Sequence, residues 1–515
     1  MDGVNIGRQL LRSGALSYGS FMIGKLITFL STLLLARLLL PHDFGLVGYA
    51  LLVLSFLDML KTLGVTSVLI YRQDVTDEVA SEVFLLALLS SLAFYGVCWL
   101  LAPTVAVFFH TARIIPVMRL LGLTLVLDAL GGVHATMLQK QMRFFRRFVP
   151  GLLLNVVKGS VSVALALWGL GYWSLVWGQL AGAVVSLLAT WWVYPWRPGL
   201  HFQWASAHRT LNYGLHITLV AILGAVVLNA DNLVVGRMLG TAALGLYDLA
   251  ITLPQMVTFN LAVAVSAVVL PTFAVLQDDR VALRQAYLTV LHYTGLILLP
   301  VGLGLCAVTP AFMHAFYRPV WWPTIPVMQA LALSTMLYAL GWNSGDVYEA
   351  TGRPDIQWKL SVVQAIALLP ALILGARLHG LVGVALAQIA VVVPYSVLRF
   401  WVIHHRLAMP YTALLGVLRT PLLAGVAVCG ACFALPFLLP SQTAPLKALS
   451  LQLGLGTVVY GAVVVGLRQG LLGSLVLRRR RRSWIWATLA TTIRSYDEPS
   501  PAIYPLERSK HDLPS

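Results

Sequence analysis

NADNLVVGRMLGTAALGLYDLA, residues 229–250, lies inside an almost unbroken apolar run yet carries Asp231, Asn232, Arg237 and Asp248. The simplest solvent for such a run is lipid, where a charge at a helix centre costs roughly 2.5–3.5 kcal/mol. The second half of the stretch has a twin 200 residues earlier: ARLLLPHDFGLVGYA from Ala36 aligns without gaps on GRMLGTAALGLYDLA from Gly236. Arg37 meets Arg237, Leu39 meets Leu239, Gly45 meets Gly245, Leu46 meets Leu246 and Ala50 meets Ala250. A chain of two related halves, each built on the same hairpin, is the expectation.

Composition agrees with lipid as the solvent. The chain has 515 residues, 59% of them hydrophobic and 10% charged, with a mean hydropathy of +0.83, whereas soluble domains are usually about 25% charged. At about 20 apolar residues per crossing, the expected spans are 15–38, 44–68, 82–109, 114–137, 149–169, 172–194, 211–237, 243–270, 286–309, 324–347, 359–377, 380–403, 412–438 and 447–467. This is an all-α membrane protein of about fourteen helices, since barrel strands would be half as long and alternating. The expected organisation is a six-helix lobe over 1–200, a pseudo-symmetric six-helix lobe over 201–410 with a central cavity between them, and two further helices over 411–477. A basic, partly disordered tail follows over 478–515. Residues 1–14 lead into a run too long for a signal-peptide core, so the first helix is expected to be retained.

Basic residues set the orientation. With the N-terminus inside, nineteen Lys and Arg residues, including the run Arg478 to Arg482, fall on the cytoplasmic side and six on the other. That asymmetry follows the positive-inside rule and leaves both ends in the cytoplasm. The net charge of +16 is thereby assigned to topology and anionic lipid, not to nucleic acid. The loop QKQMRFFRRF and its half-repeat counterpart ATGRPDIQWK are orientation signals of this kind. Cys429 and Cys432 spell C-x-x-C, but inside VAVCGACFAL the pattern suits small-residue helix packing, not redox or metal chemistry.

Polar residues inside the spans fall on stripes of helical period. Lys25, Thr28 and Thr32 share one face; Ser55, Asp58 and Thr62 share another, with Lys61 close enough to Asp58 to pair with it. Asn155, Lys158 and Ser162 form a third stripe, and Asp248, Thr252 and Gln255 a fourth, beside a kink expected at Pro254. Asp128 adjoins Gly131 and Gly132, and His216 accompanies Asp231. Left against lipid, Asp58, Lys61, Asp128, Lys158 and Asp231 would together cost roughly 15 kcal/mol at about 3 kcal/mol each. They are expected to face one another or a hydrated interior, as a transport cavity. On that reading Asp231→Ala or Lys25→Ala abolishes export and leaves the protein folded.

Enzyme motifs are lacking. GSFMIGKL at 19–26 nearly spells a phosphate-binding P-loop, but Leu26 replaces the required Ser or Thr and the segment begins a membrane helix. No H-E-x-x-H or G-x-S-x-G occurs, and no cofactor or metal is expected.

LARLLLPHDFGLVGYA, followed by DMLKTLGVTSVLIYR and later by NADNLVVGRMLGTAALGLYDLA with LPTFAVLQDD, resembles the polysaccharide transporter family of oligosaccharide flippases. That family is a branch of the multidrug/oligosaccharidyl-lipid/polysaccharide exporter superfamily. The resemblance spans residues 10–440. It implies two six-helix lobes around a cavity, often with two extra helices, and movement of an undecaprenyl-diphosphate-linked oligosaccharide from the cytoplasmic to the periplasmic leaflet of a bacterial inner membrane for exopolysaccharide, capsule or O-antigen assembly. It implies functional roles for Lys25, Asp231, Asn232 and Arg237, and also for Arg37 and Asp58. A cationic, hydrogen-bonding surface suits a diphosphate-sugar head group. The interior Asp residues could bind a coupling ion, H+ or Na+. Membrane lipids and polysaccharide polymerase machinery are the other implied partners. A cation-coupled multidrug antiporter and a peptidoglycan lipid-precursor flippase are the alternatives.

Overall fold

The structure, a computed structural model, describes residues 22–62, 77–141, 144–199, 229–440 and 444–475. The polybasic tail, His216 and the start of the P-loop-like segment lie outside the described residues. Described residues are almost entirely helical, as an apolar chain in lipid must be, because a helix satisfies its own backbone groups within one segment.

The helices run as follows: α1 (22–38), α2 (Pro41–Thr62), α3 (Asp77–Phe108), α4 (Ile114–Leu121), α5 (Leu123–Lys140), α6 (Phe144–Leu167), α7 (Tyr172–Val193) and α8 (229–239). Then come α9 (Thr241–Pro254), a π turn over Gln255–Phe259, α10 (Asn260–Val275), α11 (Arg280–Phe316), α12 (Thr324–Leu340), α13 (Asn343–Ala350), α14 (Pro354–Leu407), α15 (Tyr411–Leu438) and α16 (Pro445–Leu475).

Eleven helical stretches among the described residues are long and apolar enough to cross a membrane. One of them counts double: α14 has 54 residues and breaks at His379 and Gly380. Gly380 sits at φ +56°, open to glycine at no steric cost. Its two arms are the eleventh and twelfth expected crossings, and α1 and α8 stand where the first and seventh fall. Among the described residues thirteen of the fourteen expected spans have a helical counterpart, with ends moved by several residues where a span runs on into a loop, as α11 does, and residues 211–228 of the seventh lie outside the described residues.

Local sequence explains the turns between spans. Pro41 opens α2, where its missing N–H costs nothing, and Asp43 Oδ2 accepts from the Leu40 backbone N–H at 3.0 Å. Gly240, at φ +87°, makes the corresponding turn between α8 and α9.

Packing divides the helices in two groups. In the first lobe α6 packs along α7, α2, α4 and α5 pack against α7, and α3 packs on α2, α4 and α5. The second lobe joins α9 to α12, α10 to α13, and α12 to α11 and α14. The last two helices attach to this lobe: α15 lies along α11, and α16 touches both. Between the lobes, α2 packs against α9, whereas α10, beyond the π turn, makes no comparable contact with α2. Among the described residues the lobes therefore meet at the end marked by Pro41 and Thr241, and α2 and α10 part toward the other. One continuous core spans that meeting end, with Leu46, Tyr49 and Ala50 from one lobe and Leu244, Tyr247 and Ala250 from the other.

Candidate functional site

The seam between the lobes is built around two glycines. A Cβ added to Gly45 would lie 1.8 Å from the Thr241 carbonyl oxygen, and one added to Gly245 would lie 1.9 Å from that of Pro41. These pairs are related by the same 200-residue offset as the sequence repeat. A pseudo-twofold axis therefore passes between Gly45 and Gly245, and the backbones of α2 and α9 touch there because neither carries a side chain.

Residues flanking the axis cross over it. Arg37 donates through Nε to the Phe316 carbonyl at 3.0 Å, at the C-terminus of α11 in the opposite lobe. Arg237 donates to His110 Nδ1 at 3.3 Å and lies over the Phe108 ring, at the C-terminus of α3 in the first lobe. A cation at the C-terminal end of a helix is favoured by its exposed carbonyls. The carbonyl before each arginine is also taken from across the seam: Trp321 Nε1 donates to Ala36 O at 2.8 Å and the Tyr49 hydroxyl to Gly236 O at 2.8 Å. Phe29 stacks on Phe312 farther in.

The remaining candidates fall into three clusters. Lys25 on α1 and Lys158 on α6 lie close enough to repel each other. One turn along, the Thr28 hydroxyl donates to Asn155 Oδ1 at 3.2 Å, so the first and third polar stripes meet. Lys25 stands twelve residues from Arg37, about 18 Å along the helix at 1.5 Å per residue. The close approach of α6 to its neighbours depends on glycine, since a Cβ on Gly159 would strike Ser31 and one on Gly182 would strike the Leu154 carbonyl.

Asp58, Lys61 and Asp128 make the second cluster, toward the diverging end. Lys61 Nζ is 2.8 Å from Asp58 Oδ1 and donates to the Leu125 carbonyl at 2.8 Å. Asp128 lies within electrostatic reach of both. Lys61 is 8% exposed and Asp58 52%, so the pair runs from the lobe interior to an open face.

The third cluster is closed. Asp231, 4% exposed, accepts from the Tyr247 hydroxyl at 2.8 Å and from Gln388 Nε2 at 2.9 Å, and Gln388 also reaches the tyrosine oxygen at 3.2 Å. These bonds tie α8, α9 and the second arm of α14 together inside the second lobe, so Asp231 joins helices and presents no open face. Asn232 beside it is part-buried, its Oδ1 without a hydrogen-bond partner. Asp248 is within electrostatic reach of Asp231, and its carboxylate crosses the seam to lie against Gly48.

Tyr49, Tyr247, Trp321 and Gln388 were not singled out from the sequence, nor was Arg399. Arg399 is 1% exposed, bonded to the Trp342 carbonyl and set beside the rings of Tyr338 and Tyr395. A lone Gln or Arg in an apolar run was the available signal for Gln388 and Arg399. For the aromatic residues there was none. Cys432 and Gln452 exchange hydrogen bonds between α15 and α16, which accounts for part of the C-x-x-C pair as helix packing. Among the described residues, no group of three or more His, Cys, Asp or Glu side chains is arranged to hold a metal ion.

Comparison with known proteins adds the family. Over 372 residues the chain is 27% identical to the lipopolysaccharide biosynthesis protein WzxC of Escherichia coli K12, covering 72% of this chain and 75% of that protein. It is 25% identical over 467 residues to the succinoglycan biosynthesis transport protein ExoT of Rhizobium meliloti, covering 88% and 92%. Among solved structures, the inward closed conformation of the lipid II flippase MurJ superposes with a TM-score of 0.73 at 14% identity, over 89% of this chain and all of that one. An inward-facing multidrug resistance MATE transporter superposes with a TM-score of 0.60 at 15% identity, over 75% and 94%. At these identities the two structures speak for the fold alone. The sequence profile of the family described as polysaccharide biosynthesis protein matches residues 34–326, more than half of the chain, and the chain therefore belongs to that family.

Proposed function

We propose that this protein is a flippase that moves a polyprenyl-diphosphate-linked oligosaccharide across the bacterial inner membrane for exopolysaccharide, capsule or O-antigen assembly. The observation that carries the proposal is the junction of two polar stripes, where the Thr28 hydroxyl donates to Asn155 Oδ1 at 3.2 Å and Lys25 and Lys158, one turn away, lie within electrostatic reach of each other. A diphosphate carries charge enough to interact with two cations at once, through charge-assisted hydrogen bonds. Thr28 and Asn155 beside them offer hydroxyl and amide groups to a sugar. Family membership and the biosynthetic roles in the names of the relatives point to the same substrate class.

On this reading residues 1–200 and 201–410 act as lobes that rock against each other, making the Gly45–Gly245 contact when that end is closed, and 411–477 rides with the second lobe. The closed end faces the periplasm, the diverging end faces the cytoplasm, and both termini are cytoplasmic. The lipid tail stays in the bilayer while the head group crosses between the lobes. Asp58, Lys61 and Asp128 stand where an arriving head group or a coupling ion, H+ or Na+, is met first. Asp231, Asn232, Arg237 and Asp248 hold the second lobe and the seam in register. A polysaccharide polymerase downstream receives the flipped product.

The test is translocation in proteoliposomes of a fluorescent polyprenyl-diphosphate oligosaccharide, read as protection from a membrane-impermeant quencher. Wild-type protein is expected to translocate it, Lys25→Ala/Lys158→Ala to lower the rate at least tenfold, and Lys25→Arg/Lys158→Arg to retain much of it. Translocation by the double alanine variant at the wild-type rate would refute the assignment of these lysines.

A further inference from the structure

The seam leaves one feature of the second lobe unused. On its outer side α11, α12 and α15 enclose a crevice of about 480 Å3, within the roughly 300–1,000 Å3 typical of ligand sites. Leu299 and Leu340, both nearly buried, form its floor, and Leu415 and Leu422, 69% and 51% exposed, form its rim. Arg419 lines the same crevice and is exposed. It stands eight residues into α15 from Tyr411, about 12 Å along the helix, inside the stretch that crosses the membrane.

Among the described residues Arg419 forms no ion pair with an Asp or Glu. Residues 356–496 contain neither Asp nor Glu. An arginine at this depth is costly unless its side chain reaches the interface or pairs with an anion. Lipid phosphate satisfies both conditions, and the leucine-lined crevice beside the guanidinium is shaped for a hydrocarbon chain.

We propose that this crevice is a binding site for a resident anionic glycerophospholipid, its phosphate on Arg419 and one acyl chain between α11, α12 and α15. The occupant is a membrane phospholipid and not the polyprenyl tail of a transported substrate. The crevice lies in the second lobe on α15, whereas Lys25 and Lys158 lie in the first. The site requires only that this surface face lipid, so it stands or falls independently of the flippase reading. Its bound lipid would splint α15 to the α11–α12 pair.

Gly416 supplies a test that removes nothing. A Cβ there would meet no atom within 4 Å, so Gly416→Trp fills the crevice from a position already exposed, and Gly416→Leu does so with less bulk should the indole distort the helix. Native mass spectrometry of the full chain released from detergent, after exchange into nanodiscs of phosphatidylglycerol and phosphatidylcholine in equal parts, reads the retained lipid by mass. Wild-type protein is expected to retain phosphatidylglycerol. Arg419→Ala and the Gly416 variants are expected to lose it at least fivefold, and Arg419→Lys to keep most of it, with helical circular dichroism unchanged throughout. Wild-type retention by Arg419→Ala or by a folded crevice-filling variant would overturn the site. So would a lipid identified, on protein purified from native membranes, as a polyprenyl phosphate.

Discussion

Adding one methyl group at Gly45 should shift the lobes away from the closed arrangement. The new Cβ would stand 1.8 Å from the Thr241 carbonyl oxygen, about 1.5 Å short of the roughly 3.3 Å at which carbon and carbonyl oxygen ordinarily meet. The obstacle is backbone, so no rotamer change relieves it; α2 and α9 must part. Overpacking of this kind costs about 1–3 kcal/mol, which is a change of roughly 5- to 150-fold in a two-state equilibrium. Gly245→Ala should do the same, since its Cβ meets the Pro41 carbonyl at 1.9 Å. The double variant should fall short of the sum, because one separation relieves both clashes. Spin labels at Leu40→Cys and Ala242→Cys, exposed positions on the two sides of the seam, with the four native cysteines replaced by serine, would report the lobe separation by double electron–electron resonance. Each alanine variant is expected to enrich a longer distance at the expense of the wild-type one. An unchanged distance distribution in both would refute the claim that these glycines allow closure.

Other perturbations of the same framework have definite outcomes. Trp321→Phe removes the donor to Ala36 O while keeping most of the ring, and a lost hydrogen bond of this sort is worth about 0.5–1.5 kcal/mol, so the same labels should show a smaller shift in the same direction. Asp231→Ala leaves the Tyr247 hydroxyl proton without its acceptor in a buried place and Gln388 Nε2 with only the tyrosine oxygen, at about 1–3 kcal/mol for an unsatisfied group; its melting temperature in detergent should fall well below wild type. Asp231→Asn, which keeps one acceptor oxygen, should fall less. From the sequence, Asp231→Ala was expected to spare the fold; the three-helix bonding of Asp231 is the reason that expectation changes.

The sequence repeat was legible because several of its identities have mechanical causes at the axis. Gly45 and Gly245 match because two backbones touch there. Ala50 and Ala250 match within one shared core, both fully buried. Arg37 and Arg237 match because each caps a helix of the opposite lobe. Helical period likewise located the stripes, and the Asp58–Lys61 pair was readable because it is local, three residues apart. What period does not specify is the neighbour that a face meets. Gln388 reaches Asp231 across 157 residues, and Trp321 reaches Ala36 across 285; these bonds depend on how separate helices dock. The stripe pattern therefore marks Asp231 as an interior polar residue and leaves Tyr247 and Gln388, its partners, unspecified.

The two halves also differ at one place where the difference is required. Position 48 is glycine and position 248 aspartate, so the repeat breaks one turn from the axis. The Asp248 carboxylate extends over Gly48, its Oδ2 2.7 Å from where a Cβ of residue 48 would stand. A second aspartate there would set two carboxylates against each other in the space one already fills, and even alanine would crowd it. Closure thus covers a single carboxylate with the first lobe, and opening returns it to whatever water enters between the lobes. Covering it has a cost, since a buried polar group is stable only when its lost hydration is replaced. The aromatic contacts and the Tyr49 and Trp321 hydrogen bonds across the same seam act in the opposite sense. Closure at this end is therefore a balance of opposed terms, which is the condition under which a bound head group or a few lost contacts can move the lobes from one arrangement to the other.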